Sequence, residues 1–128
     1  MAHTLNLKLQ EFKKALTTLK EALAEKKNKL VRDSVIKRFE YTFELCWKTV
    51  KVFLNERFGV DAFSPKECFR ELRRNKFISE EETETLLKMT DDRNDIIHSY
   101  NENFSDEIYG KIKRDYFVLI DKIYRQMK

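Results

Sequence analysis

Gly59, Gly110 and Pro65 are the only glycines and the only proline in 128 residues. An ordinary chain carries roughly 7% Gly and 5% Pro. Tight hairpins and phosphate-cradling loops take their positive-φ positions from glycine. Two such residues are too few for a sandwich, a barrel or a doubly wound sheet, so an all-α fold is predicted. The same scarcity removes glycine-rich anion loops, and any anion this chain meets would be met by side chains.

Apolar spacing gives the helices. Leu5, Leu9, Phe12, Leu16, Leu19 and Leu23 recur in steps of four and three, one stripe on a first helix that ends near Glu25–Lys29. Phe39, Phe43, Cys46, Val50 and Phe53 repeat the pattern on a second helix from about Val31 to Phe58. Ile36, Leu45, Trp47 and Leu54 widen its apolar face, so this helix is expected to touch more than one neighbour. Gly59 follows as a C-terminal cap. Ser64-Pro65-Lys66-Glu67 reads as a capping box with proline at the first helical position, opening a short helix to about Asn75. Ser79 with Glu82 opens another, carrying Leu86, Leu87, Met89 and Ile96/Ile97 to about Tyr100. Asn101–Phe104 reads as a loop, and Ser105 as the cap of a last helix striped by Ile108, Ile112, Tyr116, Leu119, Ile123 and Met127. Gly110 lies inside that helix, where glycine is unfavourable against alanine by up to about 1 kcal/mol. Short connections favour antiparallel neighbours. The expectation is one domain over residues 1–128, an up-and-down four-helix bundle with one additional short helix.

Charge and cysteine usage narrow the setting. Net charge is +4, with +6 in residues 1–58 and −2 in the remainder. That permits an anionic partner without requiring one. Cys46 and Cys68, set among apolar neighbours, read as buried thiols of a reducing compartment. No Cys/His spacing suggests zinc, no run approaches the ~20 apolar residues of a membrane span, and the N-terminus has no signal-peptide core. A cytoplasmic protein without membrane contact, cofactor or metal is expected.

Polar chemistry concentrates in Asp91-Asp92-Arg93-Asn94-Asp95-Ile96-Ile97-His98-Ser99-Tyr100. Asn94 and His98 are four apart and share a helix face. Arg93 and His98, five apart, diverge by about 140° on one helix. They would converge on one phosphate only if a two-fold axis brought two copies together. Such a site suits metal-free RNA cleavage. Neutral His98 takes the 2′-hydroxyl proton, Arg93 stabilises charge on the phosphate, and Asn94 orients His98 or binds a phosphate oxygen. The plainer alternative has His98 complementing a helix dipole and Arg93 paired with Asp92 or a facing Glu. Asp91 and Asp92 lack further ligands at metal-binding spacing. Tyr100 is open between a boundary aromatic and a hydroxyl exposed for modification. Phe39, Tyr41, Phe43 and Trp47 suit the core or a dimer contact better than a base-stacking platform. Arg70, Arg73, Arg74 and Lys76 suit a solvated helix end better than an RNA contact.

Arg93-Asn94-x-x-x-His98-x-Tyr100 resembles the R-x4-H-x-Y motif of HEPN domains. The run from Arg38 to Lys51, Ser64-Pro65-Lys66-Glu67 and Asp91-Asp92-Arg93-Asn94 resemble stretches of a HEPN branch, the nucleotidyltransferase substrate-binding protein family, over roughly residues 5–125. The resemblance implies a small helical bundle that forms a homodimer and assembles with a minimal nucleotidyltransferase encoded nearby. In related pairs the HEPN chain is an RNase toxin, neutralised when its partner adenylylates a tyrosine. Carried over by position, Arg93 and His98 would be catalytic, Asn94 supporting and Tyr100 the modified residue. The alternative is a non-catalytic module that docks the nucleotidyltransferase and presents a nucleotide or other substrate.

Overall fold

A computed structural model describes residues 2–98 and 101–128, and the described chain is helical, with no strand. Helix α1 is Ala2–Ala24 and α2 is Lys29–Phe58. The short α3 is Pro65–Arg74, and α4 is Glu80–His98. The last helix runs without a break through α5 (Glu102–Lys111), a π-helical turn (Ile112–Tyr116) and α6 (Phe117–Met127). The architecture is thus the predicted all-α bundle of four long helices plus one short one.

Helix α2 is the hub. It packs on α1, α3, α5 and α6, while α3 packs on α4. Its predicted stripe, Phe39, Phe43, Cys46, Val50 and Phe53, is fully buried. From α1, Leu9, Phe12, Leu16 and Leu19 join this core, and Leu5 and Leu23 pack at its margin. All six stripe residues of the last helix are buried. Burying one such side chain contributes about 1.5–3 kcal/mol, so this shared core dominates the stability. Phe39 and Phe43 are therefore core residues and no stacking platform. Phe39 lies near-parallel to the Tyr116 ring at 5.8 Å between centroids.

The helix ends follow local chemistry. The Asn28 side chain caps α2 by accepting from the Val31 N–H (2.8 Å). Gly59 ends α2 at φ 66°, its N–H on the Asn55 carbonyl (2.9 Å). Ser64 caps α3 through the Glu67 N–H, while the Glu67 carboxylate accepts from the Phe63 N–H, one residue before the position a regular capping box uses. Ser79 and Glu82 form the full reciprocal box at α4. The last helix departs from the sequence expectation. Asn101 caps it through the Phe104 N–H (3.1 Å), the helix begins at Glu102, and Ser105 lies buried inside the first turns. An Asn side chain satisfies the orphan amides as well as a Ser, and the earlier of two possible caps is the one used.

The α3–α4 turn has no counterpart in the sequence expectations. Lys76 occupies a left-handed conformation at φ 65°. Its N–H bonds the Arg73 carbonyl (2.9 Å), and the Phe77 N–H bonds that of Leu72 (3.0 Å). This is the Schellman pattern normally closed by glycine, formed here by a lysine.

Candidate functional site

The segment from Asp91 to His98 forms the last turns of α4, and its charged side chains are drawn to three different neighbours. Asp91 pairs with Lys66 of α3 at 2.6 Å. Asp92 turns the other way and accepts from Lys111 (3.2 Å) and from the Tyr116 hydroxyl. The two carboxylates thus serve different helices and do not converge as a cation site. Among the described residues no three His, Cys, Asp or Glu side chains group as metal ligands. The π turn places Tyr116 for this bond. Burial first, and then the Asp92 carboxylate, raise its phenol well above the ordinary tyrosine range.

Arg93 faces α2. Its guanidinium pairs with Glu44, lies over the buried Phe43 ring at 5.5 Å, and donates to the Asn94 side-chain oxygen at 3.3 Å. The facing glutamate that sequence reasoning allowed for is therefore Glu44. The side chains of Arg93 and Glu44 keep 22% and 32% of their exposure, so the pair is half-sheltered and still open to a ligand. Asn94 and His98 are both exposed on the final turns. No hydrogen bond or ion pair links Arg93 to His98 among the described residues, where the arginine's polar partners are Glu44 and Asn94. This agrees with the divergence expected of residues five apart on one helix. Tyr100 lies outside the described residues.

Immediately beyond this segment, the start of the last helix is tied to α2 by a buried arginine that the sequence did not single out. Arg32 is 2% exposed and donates to Asp33 (3.1 Å) and Asp106 (3.2 Å), with Glu102 at 3.5 Å. Burial works against its charge, but the three carboxylates outweigh that and hold the guanidinium above its ordinary range. In turn Arg32, then Lys29, depress Glu102, and Lys27, then Arg32, depress Asp106. A lone arginine on a basic helix gives no sequence signal of burial. Two of its acidic partners lie some seventy residues downstream.

Between these two ties lies a cavity of about 320 Å³, bounded by α2, α4 and α5. The basic group on α3 is a solvated helix end with local pairs, Arg73 to Glu80 at 3.4 Å and Arg74 to Glu71. No helix of the described residues is long and apolar enough to cross a membrane.

Residues 7–128 match the family model described as nucleotidyltransferase substrate binding protein like. No curated protein matches the chain significantly. A crystal structure from Thermus thermophilus is 36% identical, with a TM-score of 0.85 over 91% of this chain and 98% of that one. A Shewanella oneidensis HEPN toxin, solved tri-AMPylated in complex with its MNT antitoxin, is 18% identical with a TM-score of 0.76, covering 95% and 94% of the two chains. A variant of the toxin–antitoxin MntA–HpeT gives 17% identity and a TM-score of 0.76, covering 95% of each chain. At 17–18% identity, the last two share the fold with this chain.

Proposed function

The chain belongs to the nucleotidyltransferase substrate binding protein like family, and from that premise we propose that it is the HEPN-type partner of a minimal nucleotidyltransferase and a metal-independent RNase. The observation that carries this reading is the end of α4. There Asn94 and His98 are exposed one turn apart, next to an Arg93 held in place by Glu44 and Phe43. In the reaction, His98 takes the 2′-hydroxyl proton. The 2′-oxygen attacks the adjacent phosphorus, Arg93 carries the growing charge on the phosphate oxygens, and the 5′-oxygen leaves with a proton from solvent. Because Arg93 and His98 diverge in one chain, the site is composite. Two copies related by a two-fold axis each present an α4 end to a shared cleft.

Control by the partner follows from position. An adenylyl group on Tyr100 places a phosphodiester charge and an adenosine two residues from His98, where it competes with RNA phosphate for Arg93. The test is cleavage of RNA by the purified, AMP-free dimer in EDTA. Wild-type protein is expected to cleave, while His98→Ala and Arg93→Ala variants with unchanged helical content do not. RNA left intact by unmodified wild-type dimer overturns the catalytic reading. A second reading, a non-catalytic module presenting a substrate to the nucleotidyltransferase, is favoured by the family's own description. Intact mass after co-expression with the nucleotidyltransferase separates the two. An AMP increment mapped to Tyr100 supports the regulated toxin, and a stable unmodified complex supports the module.

A further inference from the structure

The cavity between α2, α4 and α5 lies one turn from the Arg93–Glu44 pair. Glu40 is four residues before Glu44, about 6 Å along α2 at ~1.5 Å per residue. Ile96 is three residues beyond Arg93 on α4. The walls are Ile36, Ile96 and Phe104. Four polar residues join them: Glu40, Lys37, Ser105, and Asp33, whose carboxylate is already engaged by Arg32. The side chains of Glu40 and Lys37 form no ion pair or hydrogen bond among the described residues, although ion pairs are dense elsewhere on this chain. At about 320 Å³ the cavity stands at the small end of the ~300–1,000 Å³ range of small-ligand sites.

From this placement we infer that the cavity is a nucleobase subsite of the RNA-cleaving site, selective for bases that carry an exocyclic amine. The inference rests on the RNase reading for the substrate's identity. A flat, apolar-faced base fits between the isoleucines and the Phe104 ring, the usual way unpaired RNA bases are held. Its amine, N4 of cytosine or N6 of adenine, donates to Glu40. Uracil offers a carbonyl oxygen at the place of the cytosine amine, and that oxygen meets a carboxylate. Discrimination thus comes from a repulsive contact as well as an attractive one. Lys37 lies on the solvent side and serves the backbone phosphate. The distance of one helix turn to Arg93 is one a single nucleotide spans.

The decisive comparison is between cytosine and uracil, which have the same size and nearly the same stacking. Labelled 2′-O-methyl oligocytidylate and oligouridylate, which cannot be cleaved, are titrated against the native dimer by fluorescence anisotropy. Cytidylate is expected to bind about tenfold tighter, the scale of one good polar base contact. Glu40→Gln preserves the shape, and its amide can donate to the uracil carbonyl, so the ratio should fall to about one. Phe104→Ala should weaken both oligonucleotides together. Circular dichroism and thermal midpoints establish that both variants fold. Equal binding of the two oligonucleotides by native protein, or no binding of either, overturns the inference. So does a C-over-U ratio that survives Glu40→Gln. If the variants alter only sedimentation, the cavity belongs to a surface between copies of the chain and the subsite is refuted. The underlying reading fails separately. Discrimination without cleavage of unmethylated RNA keeps the subsite and sinks the nuclease, and cleavage indifferent to base does the reverse.

Discussion

A double-mutant cycle on Arg93 and Glu44 tests whether α2 holds the arginine in solution. Arg93→Ala removes a guanidinium that pairs with Glu44 and lies 5.5 Å from the centre of the Phe43 ring. Glu44→Ala removes the carboxylate end of that arrangement together with an i,i+4 pair to Lys48 at 3.3 Å. The side chains are 22% and 32% exposed, so solvent screens the pair and the interaction is discounted to about 0.5–1 kcal/mol. The arginine's contact with the phenylalanine face adds about 0.5–1 kcal/mol more. Arg93→Ala is therefore expected to cost about 1–2 kcal/mol and Glu44→Ala about 0.5–1 kcal/mol. Added to Arg93→Ala, the second substitution should cost only what the Glu44–Lys48 pair contributes, about 0.3–0.5 kcal/mol, and the shortfall from additivity gives a coupling of about 0.5 kcal/mol. Urea unfolding monitored by circular dichroism reads these differences as shifts in midpoint at constant slope. High salt should shrink the coupling, as the charge–charge part is screened. Strictly additive single effects would show that Glu44 does not hold Arg93 and that the arginine at the α4 end is not pre-positioned.

Truncating the hub is expected to be far more costly. Phe39→Ala opens a void against Tyr116 in a fully buried position and should cost about 3–5 kcal/mol in the same assay. Three backbone positions where glycine is present or called for should respond with different signs. Gly59→Ala strains a φ of 66° and should destabilise by about 1 kcal/mol, whereas Lys76→Gly relieves a φ of 65° and should stabilise by about the same amount. At Gly110 an added Cβ comes nearest the flexible end of Arg114, which must swing aside from 2.7 Å, so Gly110→Ala should be neutral or stabilising by up to about 1 kcal/mol, as thermal midpoints will show. Alkaline unfolding should set in early. The Tyr116 phenol is raised above its ordinary value of 10.0 in the folded state and Cys68 is pushed up to about 11, both by burial first. Stability supplied by raised groups is complete below their unfolded values and is lost as pH rises through the folded ones, so a stability profile flat between about pH 9 and 12 would contradict it. Arg32→Lys replaces a three-way fork by a point charge, and hydrogen exchange at residues 102–106 should quicken while α1 is unaffected. Unchanged protection there would refute the assigned role of Arg32.

How much of this is legible in the sequence depends on whether a signal is periodic or long-range. The stripes on α1, α2 and the last helix are legible because every fourth or third residue repeats the same burial. The caps at Asn28 and Asn101 show the limit. Asn28 sits inside a stretch that reads only as polar. Ser105 looks like a cap because a serine precedes two acids, yet Asn101 takes that place. Lys76 is invisible because a lysine in a left-handed turn has no composition mark. Within the candidate site, the Arg93 and His98 spacing is readable, including the angle between them. The identity of Glu44 as the arginine's partner is not, since several glutamates could face it. Arg32 is unreadable for the same reason: its distant carboxylates arrive from the far end of the chain.

These long-range ties share one helix. On one side of the short link between α4 and α5, Arg93 is tied to Glu44; on the other, Glu102 and Asp106 are tied to Arg32. Both anchors are on α2, about three helical turns apart, and α2 also carries the most deeply buried stripe in the molecule. A site built around a connection between helices is normally loose, because connections carry few fixed contacts. Here the residues flanking the link inherit the rigidity of the core through two charged tethers. Neither tether uses glycine or a backbone nest, which a chain with two glycines could hardly supply. The scarcity of glycine thus has a structural counterpart: arginines from opposite sides do the positioning that loops do in other folds. Arg93 is a tether to α2 and, in the proposed reaction, also the group facing phosphate. A substitution at Glu44 therefore perturbs the site through geometry, while one at Arg93 perturbs it through geometry and charge together.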